Sequence, residues 1–198
     1  DIIKRKKDPR ITQEYNKILK YKKMIKFVFQ DKPLGTGDAV FKAKKLIKDK
    51  YFLMLLPDDL IIKKNCSKSM IAIHKKYNSS VMASIKVNKK DVSRWGIYSV
   101  KKKINNRNFI IDSVVEKPLI KDAPSNNAVI GRYILPKEIF KKLSKLKTGK
   151  GGEIHITDAI QSLINDNKKI IGHNFTGKYL DCGTMKGYIN STLEISKL

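Results

Sequence analysis

Cysteine is nearly absent: Cys66 and Cys182 are the only two, far apart and in no metal-ligand spacing. That argues against a disulfide scaffold and a zinc site, and fits a reducing cytoplasm. No apolar run approaches the ~18 residues a membrane span requires, and the N-terminus does not read as a signal peptide. There is no internal repeat and no low-complexity linker, so one α/β domain over residues 1–198 is the simplest organisation. Carboxylates are outnumbered, 18 against 43 lysines and arginines, for a net charge of +25. Arginine itself is scarce, with five residues at 5, 10, 94, 107 and 132. The lysines are spread along the whole chain, and aromatics do not alternate with them as stacking platforms would require. This argues against a nucleic-acid partner, although a basic nucleic-acid-binding protein remains the weakest alternative. A net positive field also attracts phosphate-bearing ligands.

What is present is an alternation of apolar runs and helical patterns. Ile11–Lys23 has a helical stripe of Ile11, Tyr15, Ile18 and Leu19, and Met24–Phe29 reads as a strand. Gln30–Asp38 is a tight loop with Pro33, Gly35 and Gly37, leading into a helix from Asp38 to Lys48. Helices are expected over 65–77, 137–147, 157–165 and 185–196, the last packing through Tyr188, Leu193 and Ile195. Strands are expected over 80–87, 96–100, 109–115 and 128–135, with 169–175 as a final edge-like strand. His74 reads as a packing residue, and Thr148–Glu153 as a flexible loop that lacks the spacing of a phosphate loop.

The centre of the pattern is Tyr51–Leu60, Tyr-Phe-Leu-Met-Leu-Leu-Pro-Asp-Asp-Leu. A continuous apolar run reads as a strand buried on both faces, as in a parallel sheet. Ligands in such sheets sit beyond the carboxyl ends of the strands, where Asp58 and Asp59 stand. They either hold a ligand or simply open a turn. Tyr179-Leu-Asp-Cys-Gly183 is a second place where a short apolar run delivers a carboxylate to a glycine.

Several motifs stand in order: Gln30 with Gly35-Thr-Gly37, Leu56-Pro-Asp-Asp59, Trp95-Gly96, Glu116-Lys-Pro118, Val129-Ile-Gly-Arg-Tyr133, Gly152-Glu-Ile-His-Ile-Thr-Asp-Ala159 and Leu180-Asp-Cys-Gly183. From about Phe27 to about Tyr188 the set resembles the bacterial UTP–glucose-1-phosphate uridylyltransferases, members of the sugar-phosphate nucleotidyltransferase family. The resemblance implies a Rossmann-like α/β fold with a mixed, mostly parallel sheet flanked by helices. It implies Mg²⁺-dependent transfer of UMP from UTP to glucose 1-phosphate, giving UDP-glucose and pyrophosphate, and it allows a homodimer or tetramer.

By the same resemblance, Asp58 and Asp181 would hold Mg²⁺ through carboxylate oxygens. Lys117 would lie against the sugar phosphate, with Asp58 and Lys117 as the catalytic pair. Glu116 would accept from glucose hydroxyls, and Gly96 and Gly131 would let backbone approach the hexose. Gln30, Pro33 and Gly35 would read the uracil edge, and Asp59 would be left to the turn. Simpler readings stand beside these. Glu116 and Lys117 could form an exposed ion pair. Gly131 could relieve packing inside a strand. Glu153 and Asp158 suit a helix N-terminus, and Cys182 a small buried hydrophobe.

One hallmark of the resemblance is missing. No Gly-x-Gly-Thr-Arg loop for the triphosphate precedes Gln30. The chain is therefore expected to correspond to the C-terminal two-thirds of the family fold, N-terminally truncated and poorly active alone. A gap between Met24–Phe29 and Tyr51–Leu56 is expected with it. The alternative is a non-catalytic remnant or sugar-phosphate-binding module.

Overall fold

The computed structural model describes residues 8–149 and 152–198. Lys150 and Gly151, part of the expected loop at 148–153, lie outside the described residues, as do residues 1–7. Where one domain was expected, the chain divides into two compact units, Asp1–Asp31 and Lys32–Leu198.

In the first unit, α1 spans Pro9–Lys22. Asp8 caps it by accepting from the Arg10 amide at 2.8 Å, and Pro9 supplies the preset φ of a first turn. Its expected stripe buries nothing. Met24–Phe29 is not a strand: it joins no ladder, and Phe27 and Phe29 are 80% and 82% exposed. A strand needs a neighbouring strand for its backbone groups, whereas here Met24 and Ile25 donate back to the Tyr21 and Lys22 carbonyls at the end of α1.

The second unit carries α2 (Thr36–Lys42), β1 (Tyr51–Leu55), β2 (Asp59–Ile62), α3 (Cys66–Tyr77) and β3 (Ser80–Lys86). There follow β4 (Gly96–Lys103), β5 (Asn108–Glu116), β6 (Asn127–Pro136), α4 (Ile139–Leu143), α5 (Ile156–Asn165), β7 (Ile170–Asn174), β8 (Lys178–Asp181) and α6 (Met185–Ile195). Among these elements no helix is long and apolar enough to cross a membrane.

Six strands form one sheet in the order β1-β6-β3-β7-β5-β4, and β2 and β8 form a separate antiparallel pair. The sheet is mixed, but not mostly parallel as expected: among the described residues only β3 and β7 pair in parallel. The cause is insertion. β1, β3, β7 and β4 run the same way, while β6 runs against them between β1 and β3, and β5 between β7 and β4. β7 is likewise not an edge. It lies between β3 and β5, and its Lys168-Lys169 approach gave it a polar look that Ile170–His173, all buried, do not share.

Both faces of the sheet are covered, which explains the continuous apolar runs. Residues of β6 alternate between the two sides. Val129, Tyr133 and Leu135 join the core under α4 and α5, whereas Ile130 and Ile134 face Cys66 and Met70 of α3. Helix α5 buries Ile156, Ala159, Ile160 and Leu163, the i, i+3, i+4, i+7 stripe of a helix lying on a sheet. The isoleucine and leucine side chains among them each contribute ~2 kcal/mol on burial. Asn65 caps α3 through the Lys68 amide at 2.9 Å, and Asn78 ends it in the left-handed region at φ 45°.

The opening strand β1 departs from expectation in degree. Phe52 and Met54 pack to one side and Tyr51 and Leu53 to the other, yet all four are only half-buried. β1 is an edge, with β6 as its one neighbour. His74, expected to pack alone, has its Nδ1 2.8 Å from the Ser79 carbonyl and its ring 4.5 Å from that of Tyr51. The closing helix does not pack as expected: Tyr188, Leu193 and Ile195 are exposed, and Ser191 is its one buried residue.

Candidate functional site

Strand β6 positions the site. β3 lies along one of its edges, with a register shift between Met82 and Ser84 that falls opposite Ile130–Arg132. Its other edge is shared, with β1 alongside Arg132–Pro136 and β4 alongside Ala128. Between them, where β1 ends and β4 has not begun, lies Gly131. Clefts at such changes of strand partner, beyond carboxyl ends, are where ligands collect in α/β sheets.

The chain leaving β1 turns through Leu56–Asp58 into β2. The Leu56 amide donates to the Gly131 carbonyl at 2.8 Å, and the Gly131 amide donates to Asp59 Oδ2 at 2.5 Å. A Cβ on Gly131 would stand 2.5 Å from both Asp59 Oδ2 and Leu56 Cβ, so no larger residue fits without moving the turn. The packing reason for this glycine is thus met by the protein itself. Asp59 opens β2 rather than closing a turn, directly opposite Asp181 in the β2–β8 pair. The Tyr179 hydroxyl donates to Asp59 Oδ1. Burial raises the Asp59 carboxyl above its ordinary value despite these two donors. Burial, followed by the bond to Asp59, raises the Tyr179 phenol as well.

The other carboxylates meet at the end of β8. The Cys182 amide donates to the Asp58 carbonyl at 2.8 Å, and the Gly183 amide to Asp181 Oδ1 at 3.0 Å. A Cβ placed on Gly183 would lie 3.0 Å from Asp58 Oδ2 and 3.3 Å from Asp181 Oδ1, so the two carboxylates bracket one small space. Among the described residues no cluster of three or more His, Cys, Asp or Glu side chains forms. Two carboxylates without nitrogen or sulfur suit Mg²⁺, which keeps water and fills its octahedron from phosphates, and do not suit zinc. Arg94 Nη2 reaches Asp181 Oδ2 at 3.5 Å. Cys182 is half-buried rather than enclosed.

The remaining predicted residues approach through the 94–96 segment. Gly96 pairs with Glu116 across β4 and β5, and a Cβ on Gly96 would be 3.0 Å from Glu116 Oε2. Lys117 donates its amide to the Trp95 carbonyl at 3.0 Å and sits at φ 45°. A lysine held in the left-handed region costs on the order of 1 kcal/mol and marks a constrained position. No Glu116–Lys117 ion pair forms among the described residues. The Trp95 ring lies edge-on to Tyr179, 5.6 Å between centroids, which ties this corner to β8.

Asp58, Gly96, Glu116, Lys117, Gly131 and Asp181 are therefore linked through a single set of contacts. Pro33 and Gly35 are anchored elsewhere in the same unit: Leu34 and Gly37 exchange backbone hydrogen bonds with Ile154 at 2.7 and 2.8 Å. Gly35, at φ +93°, is pressed against that backbone. Gln30 belongs to the first unit. Glu153 lies 3.9 Å from His155 through its carboxylate, and Asp158 occupies the first turn of α5, as the dipole reading expected.

Sequence reasoning gave no role to Arg132 and Tyr179. Arg132 donates to the Leu56 carbonyl at 2.9 Å, to the Gly131 carbonyl at 2.8 Å and to the Asp59 carbonyl. A signal existed: in a chain that uses lysine almost everywhere, two of the five arginines, Arg94 and Arg132, stand in this corner. The planar guanidinium fork reaches several acceptors at once, which an ammonium does not.

The family model described as nucleotidyl transferase matches residues 2–197. The UTP–glucose-1-phosphate uridylyltransferase 2 of Streptococcus pyogenes serotype M3 is 35% identical over 175 residues, covering 86% of this chain and 58% of that protein. The fold is similar to a crystal structure of UDP-glucose pyrophosphorylase complexed with UDP-glucose, with TM-score 0.81 and 38% identity over 87% of this chain and 66% of the other. It is also similar to the UTP-bound enzyme from Acinetobacter baumannii, with TM-score 0.74 and 28% identity. The chain thus spans 58% of the length of the curated relatives it matches.

Proposed function

The chain belongs to the nucleotidyl transferase family, and from that premise we propose that its site serves uridylyl transfer to glucose 1-phosphate. The carrying observation is the pair Asp58 and Asp181, delivered from two different strand ends to the space beside Gly183. The relatives' names supply the substrates, UTP and glucose 1-phosphate.

In this reading an oxygen of the sugar phosphate attacks the α-phosphorus of UTP. The bond from that phosphorus to the bridging oxygen breaks, and pyrophosphate carries the oxygen away. No proton transfer is required, so the protein acts by positioning and by offsetting charge. Asp58 and Asp181 would hold Mg²⁺, which supplies neutralisation of the phosphate charge when bound. Lys117 is the ammonium for the sugar phosphate: it is exposed, and its backbone is fixed by Trp95. Glu116 stands beside Gly96 as an acceptor for sugar hydroxyls. Pro33 and Gly35 are assigned to the base. The excess of positive charge favours phosphate-bearing ligands over the whole surface.

The test is calorimetric binding of UDP-glucose with Mg²⁺, run beside a pyrophosphate-release assay. Binding is expected to weaken at least tenfold in Lys117→Ala and to lose its Mg²⁺ dependence in Asp58→Ala and in Asp181→Ala. Turnover by the 198-residue chain alone is expected to be low. A wild-type chain that binds neither UDP-glucose nor glucose 1-phosphate would sink the proposal. Binding without any turnover, even at high enzyme, marks a sugar-phosphate-binding module instead.

A further inference from the structure

The two neighbouring carboxylates of the Leu56–Asp59 turn are treated in opposite ways. Asp58 is exposed, and among the described residues its carboxylate accepts no hydrogen bond and joins no ion pair. Asp59 is half-buried and has both oxygens committed, one to the Gly131 amide and one to the Tyr179 hydroxyl. The turn is gripped a second time from its carbonyl side. Arg132 spans the carbonyls of Leu56, Gly131 and Asp59, bracketing Asp58 in the chain. Asp58 itself is pinned only through its carbonyl, by the Cys182 amide.

We propose that Asp59, Tyr179 and Arg132 are positioning residues: they clamp the turn so that the free Asp58 carboxylate faces Asp181, and thereby set the affinity of the site for a divalent cation. This rests on the reading of Asp58 and Asp181 as cation ligands. The physical basis is preorganisation. A carboxylate on an exposed turn loses rotational freedom when it binds an ion, and a turn already fixed at both flanks loses less. Residues that orient metal ligands alter affinity by ~10–100-fold when removed. Tyr179 also joins β8, which carries Asp181, to the turn that carries Asp58. A shift in one ligand is thus coupled to the other.

Titration of the full chain with Mn²⁺ alone, followed by electron paramagnetic resonance, tests the clamp. Asp58→Asn should abolish binding. Tyr179→Phe and Arg132→Lys should each weaken it about tenfold, since a lysine cannot reach three carbonyls as the guanidinium does. Tyr98→Phe is the matched control: it also removes a half-satisfied buried hydroxyl, bonded to the Ala83 carbonyl at 3.2 Å, but on the core side of the sheet. It should lower stability and leave Mn²⁺ affinity unchanged. Equal affinity losses in Tyr98→Phe and Tyr179→Phe would reduce the clamp to general stability, and unchanged affinity in Tyr179→Phe and Arg132→Lys would overturn it. If Asp58→Asn binds as well as wild type, or wild type binds no Mn²⁺, the cation reading fails on its own. The metal-free amide shifts of Cys182 and Gly183 then decide the positioning claim: displacement in both clamp variants supports it, and wild-type shifts refute it.

Discussion

The face of the sheet under α4 and α5 and the corner between β2 and β8 are held by different forces. Under α4 and α5 the contacts are mainly apolar: Phe140 of α4 stacks on Phe52 at 5.5 Å, and Ile160 and Leu163 of α5 are fully buried. In the corner they are polar and specific, with one carboxylate, one phenol and one guanidinium satisfying a turn. The first region derives its strength from area removed from water, which is tolerant of small shifts. The second depends on individual hydrogen bonds, each worth ~1–3 kcal/mol and each lost outright if a partner moves. One region therefore controls whether the protein folds, and the other whether its carboxylates are aimed.

Damage to the first region should leave the second intact. Leu163→Ala should cost about 3–4 kcal/mol in urea unfolding through the cavity it opens, while Mn²⁺ affinity of the folded protein stays at the wild-type value. A large loss of affinity would show that the two regions are not separable.

A polar group inside the sheet gives the next largest effect. His173 is buried in β7, with Nδ1 2.8 Å from Asn108 Oδ1 and Nε2 3.1 Å from Ser69 Oγ. Burial, aided by the charge of Arg107, lowers its pKa to about 4. An unfolded histidine titrates near 6.5, so below that pH the unfolded chain takes up a proton that the folded chain refuses. Stability present above pH ~6.5 should fall as the pH drops toward 4, by up to about 3 kcal/mol from this residue. His173→Gln should flatten that part of the pH dependence of the unfolding free energy. An unchanged slope would remove histidine as its source.

Smaller effects refine the picture. Asn65→Ala removes the cap of α3 and should lower stability by ~1 kcal/mol in thermal unfolding, with no change in cation binding. Gly183→Ala should do the reverse. Its new Cβ crowds Asp58 and Asp181, so Mn²⁺ affinity should drop several-fold while stability moves by only ~0.5 kcal/mol or less. If Gly183→Ala binds Mn²⁺ as wild type does, the space between the carboxylates is not where the ion sits.

Much of the second unit was legible in order and type. The run Ala128–Leu135 is a strand covered on both faces, and the helix expected over 157–165 forms as Ile156–Asn165, burying Ile156, Ala159, Ile160 and Leu163. The candidate ligands were legible because an apolar run ending in Asp is a local pattern, visible at both Asp58 and Asp181. Met24–Phe29 shows where local pattern stops. It has strand composition but no ladder, because pairing is a property of two segments. β7 shows the same limit in reverse. A short strand after two lysines looked like an edge, and its place between β3 and β5 follows only from the crossover.

By itself the sequence determined the alternation of helices and strands, the two carboxylates at strand ends, and the glycines that allow close approach. These depend on residues near one another in the chain, where periodicity and turn chemistry act. Tertiary structure alone decided that Asp59 is committed and Asp58 is free. The bonds that separate them cross 72 residues to Gly131 and 120 to Tyr179. Two adjacent aspartates are chemically equal until the fold brings a donor to one of them and leaves the other in water.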